Sequence, residues 1–233
     1  MKLTYFGHSA FQIETGGKTL LFDPFINDNP HTEDVITADD LSPDVILLTH
    51  AHGDHWGDTP SIAKRTGALV IAQFEVTNFI QSNHGHENVH PMNTGGSVEF
   101  DWGRVTMTWA RHSSSFPDGS YGGNPAGYIL ELGGTTIYAA GDTDRFAEMA
   151  WYGEDFDIDV ALLPVGDDFT MGPAEAARAA RMLNAGLCIP IHWGTFPLLT
   201  GDPDEFVRLL EEQGMSGRKM TRGQTLELEE IKS

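Results

Sequence analysis

Short apolar runs separated by polar and glycine-rich segments predict a chain dominated by β-strands. The first runs, KLTYF, FQIET and TLLFD, form a predicted meander, and TGGK between the last two is a hairpin turn signal. A second group of predicted strands comprises SVEF, VTMTWA, AGYILEL and TTIYAAGD, with ELGGTT as another hairpin signal. The strands therefore fall into two groups along the chain.

Helical periodicity appears at three places among these strands. TPSIAKRTG separates DVILLT from ALVIA, and GPAEAARAARMLNAG separates VALLPV from CIPIHW, with Pro173 suited to the first helical turn and Gly186 to the C-terminal stop. DPDEFVRLLEEQG predicts a last helix before a closing pair of strands, RKMTR and TLELEE. This order predicts an α/β fold with helices covering sheets, and the lack of a linker predicts one domain over residues 1–233.

Composition narrows the class of protein. Apolar residues make up 40% of the chain, enough for a substantial core, and no apolar run is long enough to span a bilayer. The N-terminal MKLTYFGHSA shows no secretory pattern, so we expect a cytoplasmic protein without a membrane partner. Cys188 is the single cysteine, and its place in the apolar run LCIPI predicts a buried core residue rather than a reactive thiol.

The net charge of −20 limits the partners that we expect the chain to bind. Such a chain repels phosphate backbones, so we expect it not to bind nucleic acid. The acidic excess fits adaptation to high salt and fits simple solubility in the cytosol, and composition leaves both open. Assembly into a homo-oligomer is also left open.

Residues with metal-binding chemistry stand where four predicted strands end. His50 ends DVILLT, His112 follows VTMTWA, Asp142 ends TTIYAAG and His192 follows CIPI. Rigid strands that aim side chains at one point are the means by which a pre-organised site is built. We therefore expect these four side chains to converge.

The segment THAHGDH concentrates further candidates, since it holds His50, His52, Asp54 and His55. Imidazoles and carboxylates are suitable ligands for Zn, Mn or Fe. Without a metal, such a cluster is costly to bury and repels itself on protonation. The alternative is a solvated polar loop, but the spacing H-x-H-x-D-H favours a metal site.

The number of candidates favours two ions over one. The four candidate ligands in THAHGDH could bind one ion, but three more candidate ligands follow other predicted strands. One ion would be held by His50, His52 and His112. The other would be held by Asp54, His55 and His192. Asp142 can bridge the two ions because a carboxylate has two oxygens.

At this point the chain resembles a known family. THAHGDH, with Asp142 in AAGDTD and His192 in PIHWGT, resembles the signature of the metallo-β-lactamase-fold hydrolases. YFGHSAF, LLFDPF, YGGNPAGY and PIHWGTFPL further resemble small bacterial and archaeal metal-dependent hydrolases related to ascorbate-6-phosphate lactonase. The resemblance covers nearly the whole chain and implies the metallo-β-lactamase fold, an αββα sandwich of two β-sheets flanked by helices. It implies no particular substrate.

The resemblance also implies roles for two residues outside the ligand set. Asp23 in LLFDPF would hold the ligands of THAHGDH, residues 49–55 and here called the histidine loop, in place without itself binding metal. An ordinary turn carboxylate is the alternative. His8 would lie near the pocket, with a plain loop position as the alternative.

The implied activity is hydrolysis with two divalent ions, Zn first, with Mn and Fe also compatible. A hydroxide bridging the ions would attack a small-molecule ester, lactone or phosphoester, while Asp54 binds one ion and orients or shuttles the proton. One alternative is a metal-bound binding or sensor protein that does no chemistry. Another is a diiron redox protein, against which His52 counts, since related diiron oxygen reductases typically have Glu there.

Substrate contacts are predicted near the ligands. The candidates are Tyr121, Asn124, Trp193 and Thr195, with Phe196 beside them. The loop 113–127 is rich in Gly, Ser and Pro, so we expect a mobile lid or a spacer. A fixed turn at its far end would aim Tyr121 and Asn124 at the pocket.

The remaining polar candidates receive structural interpretations. Asp58 is predicted to cap the helix of TPSIAKR rather than bind a metal. Four histidines without partners at ligand spacing are predicted to be solvated: His31, His84, His86 and His90.

Overall fold

Two β-sheets face each other in the computed structural model, which describes residues 1–228. The strands of the first sheet are β1 (Lys2–Gly7), β2 (Ala10–Thr15), β3 (Lys18–Phe22), β4 (Val45–Leu47), β5 (Leu69–Gln73), β6 (Val89–Met92) and β13 (Thr225–Glu227). Their order across the sheet is β13-β1-β2-β3-β4-β5-β6. The strands from β3 to β6 run parallel to one another, while β1, β2 and β3 form the predicted antiparallel meander.

The second sheet has the order β12-β11-β10-β9-β8-β7. Its strands are β7 (Ser97–Phe100), β8 (Gly103–Trp109), β9 (Ala126–Leu132), β10 (Thr135–Ala139), β11 (Val160–Pro164) and β12 (Leu187–Ile191). The chain between β7 and β10 is antiparallel, and β10, β11 and β12 are parallel. Both hairpin signals are confirmed, since Gly16–Gly17 and Gly133–Gly134 adopt the left-handed φ that such turns require.

Helices cover the outer faces of both sheets. They are α1 (Gly53–Trp56), α2 (Thr59–Thr66), α3 (Phe74–His84), α4 (Met149–Asp155), α5 (Pro173–Leu183) and α6 (Pro203–Glu212), with a short 3-10 helix at Ala38–Asp40. The α/β prediction and the αββα sandwich are thus confirmed. That the chain is a single domain stays a prediction. No helix within residues 1–228 has the length and apolar character that crossing a bilayer demands.

Strands buried on both faces explain the near-continuous apolar runs in the sequence. In β4, Val45 and Leu47 point into the core between the sheets, whereas Ile46 packs outward with residues of α2 and α3. In the second sheet, Leu162 points inward, and Leu163 packs under α4, α5 and α6. Cys188 belongs to this outer layer and is buried, and burial raises the pKa of its thiol to about 12. The prediction of an unreactive core cysteine fits this environment.

The structure corrects two details of the predicted elements. The helix α5 ends at Asn184, whose left-handed φ of 49° makes it the cap in place of Gly186. RKMTR forms no strand; instead β13 closes the first sheet by pairing with β1. The last two residues of TLELEE lie outside the described residues. Three further elements, β6, α3 and α4, were not predicted because their sequences mix polar and apolar residues without a clear period.

Two glycines that end helices differ in the space around them. Substituting each of them tests the packing beneath the histidine loop. Gly57 ends α1 at φ 36°, and a Cβ there would meet the Pro24 carbonyl oxygen at 2.4 Å. Gly67 ends α2 at φ 71° with open space around it. We expect Gly67→Ala to cost about 1–2 kcal/mol of unfolding free energy from the left-handed backbone alone. Gly57→Ala should cost about 4 kcal/mol or more because the backbone of the Pro24 loop must also move.

Urea unfolding of both variants beside the parent protein measures this difference. Equal destabilisation by the two substitutions would contradict the close contact between Gly57 and the Pro24 loop.

Candidate metal centre

Six strands deliver polar residues to one edge of the sandwich. In the first sheet, β1, β3 and β4 run in one direction, and in the second sheet β8, β10 and β12 do the same. The residues that follow these six strands are His8, Asp23, His50, His112, Asp142 and His192. Because the strands belong to opposite sheets, the cluster forms only when the two sheets pack together.

Three of these residues leave their strands with a backbone that side chains rarely adopt. The φ angles of His8, Asp23 and His192 are 55°, 40° and 56°. Left-handed backbone at residues other than glycine concentrates where the surrounding structure enforces a functional geometry. Here the enforcement includes a bond between the sheets, in which the His192 N–H donates to the His8 carbonyl at 2.8 Å.

The first group of candidate ligands consists of three imidazoles. His50, His52 and His112 each place a ring nitrogen within 4.8 Å of the others. His50 Nε2 and His52 Nδ1 are only 2.9 Å apart. These residues are the set expected to hold one ion.

The second group adds a carboxylate to two imidazoles. Ligand atoms of Asp54, His55 and His192 lie within 4.8 Å of one another, and His8 joins the same group. His8 Nε2 contacts Asp54 Oδ2 at 3.1 Å. The structure thus brings His8 into the site, and its buried ring holds the Asp54 carboxylate from behind.

Asp142 lies between the two groups. Its Oδ2 is 3.0 Å from His192 Nε2, 3.2 Å from His55 Nε2 and 3.6 Å from His112 Nε2. Its other oxygen, Oδ1, is buried and has no hydrogen-bond partner among the described residues. A buried acceptor without a partner is costly, and a cation is the partner that this oxygen fits. The donor set of imidazole nitrogens and carboxylate oxygens suits Zn, Mn or Fe.

Burial and neighbouring charges set the protonation of the metal-free site. Burial opposes the ionised form of Asp142, but His192 and His55 hold the pKa of its carboxyl well below the ordinary value. Burial also opposes a charge on His192 and His55, yet Asp142 raises the pKa of His192 to about 9 and, with Asp23, that of His55 well above its usual value. Burial and, to a smaller extent, the neighbouring His192 lower the pKa of His8 to about 4. The site therefore alternates imidazolium, carboxylate and neutral imidazole.

Asp23 holds the histidine loop from inside the sheet. Its Oδ2 accepts from His55 Nδ1 at 2.8 Å and from the Thr49 hydroxyl at 2.7 Å, while Oδ1 accepts from the Thr49 N–H at 2.8 Å. Thr49 Oγ1 also lies 3.0 Å from His50 Nδ1. One buried carboxylate thus fixes ring nitrogens of both groups directly or through Thr49, which is the bracing that the resemblance implies for it.

Thr195 plays a comparable part for His8. The Thr195 hydroxyl lies 2.9 Å from His8 Nδ1 and 3.3 Å from His31 Nδ1. It is buried and does not line the cavity over the ligands. The structure places Thr195 against His8, outside the cavity lining, and its contact with substrate stays a prediction.

A cavity of about 410 Å³ opens over the ligand cluster. Its lining comprises His52, Asp54, His112, Ser113, Asp142, Phe169, His192 and Phe196. Phe196 is there as expected. Phe169 and Ser113 were not singled out by the sequence analysis, although Ser113 directly follows a predicted ligand and could have been found from that.

Three predicted substrate residues do not line this cavity. Tyr121 and Asn124 are exposed, and the Tyr121 hydroxyl lies 3.4 Å from Asn124 Oδ1. Trp193 donates through Nε1 to the Pro190 carbonyl and lines a different groove with His31 and Arg222. These positions correct the expectation that the three side chains contact substrate from within the cavity.

The loop 113–127 is tied down along its length. Ser115 pairs with Tyr121, Ser114 Oγ donates to the Gly122 carbonyl, and the buried Phe116 stacks on Phe79 with ring centroids 3.6 Å apart. The Asn124 N–H donates to Gln73 Oε1 at 2.8 Å. Of the two expectations, a lid or a spacer, these bonds favour the spacer.

For Asp58 and some of the remaining histidines, the structure differs from the role that was predicted from sequence. The Asp58 carboxylate does not cap α2; it accepts from the N–H groups of Ile26 and Asn27. His86 is buried, with Nε2 2.9 Å from the Ala68 carbonyl, and His31 is half-buried against Thr195, so the prediction that they are solvated is wrong. His84 is exposed, as predicted, although its ring lies near Trp56, and His90 is half-buried.

Comparison with known proteins places this geometry in context. The profile of the Beta-lactamase superfamily domain matches residues 18–193. A UPF0173 metal-dependent hydrolase of Salinibacter ruber is 52% identical over 228 residues, covering 98% of this chain and all of that protein. A UPF0173 metal-dependent hydrolase of Shouchella clausii is 50% identical, with the same coverage. The solved structure of Igni18, a metallo hydrolase from Ignicoccus hospitalis, has a TM-score of 0.86 at 37% identity and covers 97% of each chain.

The protonation of the cluster predicts a pH-dependent metal affinity. His192 and His55 carry protons in the metal-free protein at pH 7, and an ion must displace them to reach their nitrogens. Protons should therefore be released on binding, and apparent Zn affinity should rise between about pH 6 and 9.

Titration calorimetry at pH 7, in two buffers of different ionisation enthalpy, measures this release. The His90→Gln variant, altered outside the cluster, is the control and should behave as the parent protein. Binding without proton release would contradict the assigned charges.

Proposed function

The chain belongs to the β-lactamase superfamily and, within it, to the UPF0173 metal-dependent hydrolases, and we propose that it uses two metal ions to cleave an ester, lactone or phosphoester of a small molecule. Its class is therefore that of a hydrolase that depends on metal. The finer parts of the proposal concern the number of ions, their identity and the bond that is cleaved.

The position of Asp142 is the observation that carries the proposal of two ions. One carboxylate reaches His55 and His192 of one ligand group and His112 of the other within 3.6 Å. Each group would hold its own ion, with Asp142 shared between them. Two ions in such a site supply Lewis acidity and lower the pKa of a water molecule held there. The histidine-rich donor set favours Zn, with Mn and Fe compatible.

Asp54 is the residue that we assign to proton handling. It lines the cavity, and its side chain is about a quarter exposed, whereas the other carboxylate, Asp142, is buried. Burial opposes its charge, but the His192 and His8 side chains hold the pKa of Asp54 far below the usual range. An ionised Asp54 accepts a hydrogen bond from a water molecule in the cavity and turns it towards the substrate. His8 keeps this carboxylate in place from its buried side.

The alternatives fit the site less well. The relatives from Salinibacter ruber and Shouchella clausii are named metal-dependent hydrolases, which favours catalysis over a binding or sensor role. The cavity of about 410 Å³ over the ligands gives a substrate room. His52, where the related diiron oxygen reductases typically have Glu, favours hydrolysis over redox chemistry. The cytoplasmic location, the lack of nucleic-acid partners and any homo-oligomer stay predictions.

A substrate panel tests the proposed reaction. The protein should be stripped of metal, loaded with Zn or with Mn, and assayed on neutral esters, lactones, phosphodiesters and phosphomonoesters. Hydrolysis that requires metal and saturates with a carboxylic ester, a lactone or a phosphoester is the expected result. Failure of the loaded protein on every one of these bonds would contradict the proposal.

The Asp142→Asn substitution tests the sharing of one carboxylate by two ions. A neutral amide cannot offset two dications or offer two equivalent oxygens. We expect loss of at least one ion and a fall in kcat/KM of more than about 100-fold.

Asp144→Asn is the matched control, because Asp144 is exposed and pairs with Arg111 away from the cavity. Elemental analysis and kinetics should be done on the same preparations. An Asp142→Asn protein with two ions and near-normal turnover would rule out the shared carboxylate.

A further inference from the structure

The cavity wall offers apolar surface and little else beyond the candidate ligands. Apart from the ligand residues, the lining consists of Ser113, Phe169 and Phe196. Within residues 1–228, no Lys or Arg lines the cavity. The residues that would meet the non-reacting part of a substrate are therefore mainly aromatic.

Phe196 is a fixed part of the wall. Its ring meets the buried His8 ring edge-on at 5.6 Å and lies 6.2 Å from the ring of Phe25. The Leu199 N–H donates to the Phe196 carbonyl at 2.9 Å, which holds the backbone. Aromatic neighbours on one side leave the other side of Phe196 to face the cavity.

Phe169 is held at the cavity with half of its side chain in solvent. Its exposed fraction is 52%, although it is a large apolar residue. The loop that carries it is anchored: the Asp167 N–H donates to the Met171 carbonyl, and the Met171 N–H donates to the Thr143 carbonyl, both at 3.1 Å. Asp167 and Asp168 both adopt left-handed φ, 65° and 50°.

The position of Phe169 and its loop lowers the stability of the free protein, and the exposed half of the ring covers no apolar group there. Left-handed backbone at residues other than glycine is unfavourable, and an exposed aromatic ring gains no burial. A ring kept in this position beside a ligand cluster suits contact with an apolar group of a bound molecule.

The charges around the cavity also favour an uncharged substrate group. Arg111, which precedes the candidate ligand His112 in the chain, is paired with Asp144 and does not line the cavity. The chain carries a net charge of −20. A phosphate or carboxylate away from the reacting bond would lose its hydration without gaining a cationic partner.

We propose that Phe169 and Phe196 make this hydrolase selective for substrates with a neutral apolar group beside the scissile bond, and against substrates that carry an additional anionic group. This inference rests on the proposed function and narrows it to substrates that carry no charge away from the scissile bond. Phe196 supplies a fixed surface, and Phe169 covers the apolar group when it is bound.

Two esters that share one reacting bond measure the selectivity. Benzyl acetate is neutral, and 4-(acetoxymethyl)benzoate adds one carboxylate at the far side of the ring. The Zn-loaded parent protein should favour benzyl acetate by about tenfold or more in kcat/KM. Phe169→Ala should lose about tenfold on benzyl acetate, chiefly in KM, and change little on the carboxylated ester.

Two further variants separate the contact from general damage. Phe169→Leu keeps an apolar side chain and should recover much of the preference. Trp151→Ala removes another exposed aromatic residue, on α4 and outside the cavity lining, and should leave both esters unaffected. Equal rates of the parent protein on the two esters, or equal losses on both in Phe169→Ala, would overturn the inference.

A binding measurement keeps this test independent of turnover. Phenylacetamide and 4-carboxyphenylacetamide are titrated calorimetrically into the Zn-loaded parent and Phe169→Ala proteins. Tighter binding of the neutral amide, weakened by Phe169→Ala, supports the selectivity even if neither ester is cleaved, in which case only the proposed ester hydrolysis fails. Indifference to the carboxylate in both assays would overturn the selectivity while leaving hydrolysis intact.

Discussion

The contact of Asp142 with His55 and His192 is the interaction on which the rest of the structure depends. His55 lies on the short helix α1, which follows β4 of the first sheet, whereas Asp142 and His192 follow strands of the second. A carboxylate buried between two imidazolium groups is tolerable because each charge offsets the others. Removal of any one upsets the charge balance of this buried cluster, so the sheets and the cluster depend on each other.

The geometry around this contact is held by elements that have no direct part in chemistry. Asp23 fixes His55 and Thr49, Thr195 fixes His8, and the His192 N–H joins the two sheets through the His8 carbonyl. Left-handed backbone at His8, Asp23 and His192 adds local strain at the same edge. The large double-sided core between and outside the sheets keeps these residues in place, which is how a pre-organised site is supported.

The fold and the ligand cluster were largely predictable from sequence because their signals are local. Apolar runs marked most strands, and the ligands either lie in one short segment or directly follow a strand. The wall of the cavity was not predictable in this way. Phe169 lies in the polar segment DDFT with no ligand beside it, and only the path of the loop brings it to the cavity.

Long-range contacts explain the wrong predictions as well. Tyr121 and Asn124 follow a ligand closely in sequence, but Phe116 and Gln73 hold their loop so that both side chains are exposed. His86 looks like a solvated residue until the Ala68 carbonyl is brought to it by the packing of the chain. Spacing identifies ligands that share a turn, but it cannot identify partners that meet only after the sheets assemble.

The central claim is that the folded edge of the sandwich is built to hold two ions around Asp142. X-ray absorption at the Zn edge on the fully loaded protein tests it most directly, because the scattering reports both ligands and a neighbouring metal. Two ions around Asp142 should give a first shell of nitrogen and oxygen with imidazole scattering, and a second Zn at about 3.5–4 Å. The proposed pair of ions would be contradicted by a spectrum that isolated Zn fits, with no metal neighbour, from protein that is already saturated with metal.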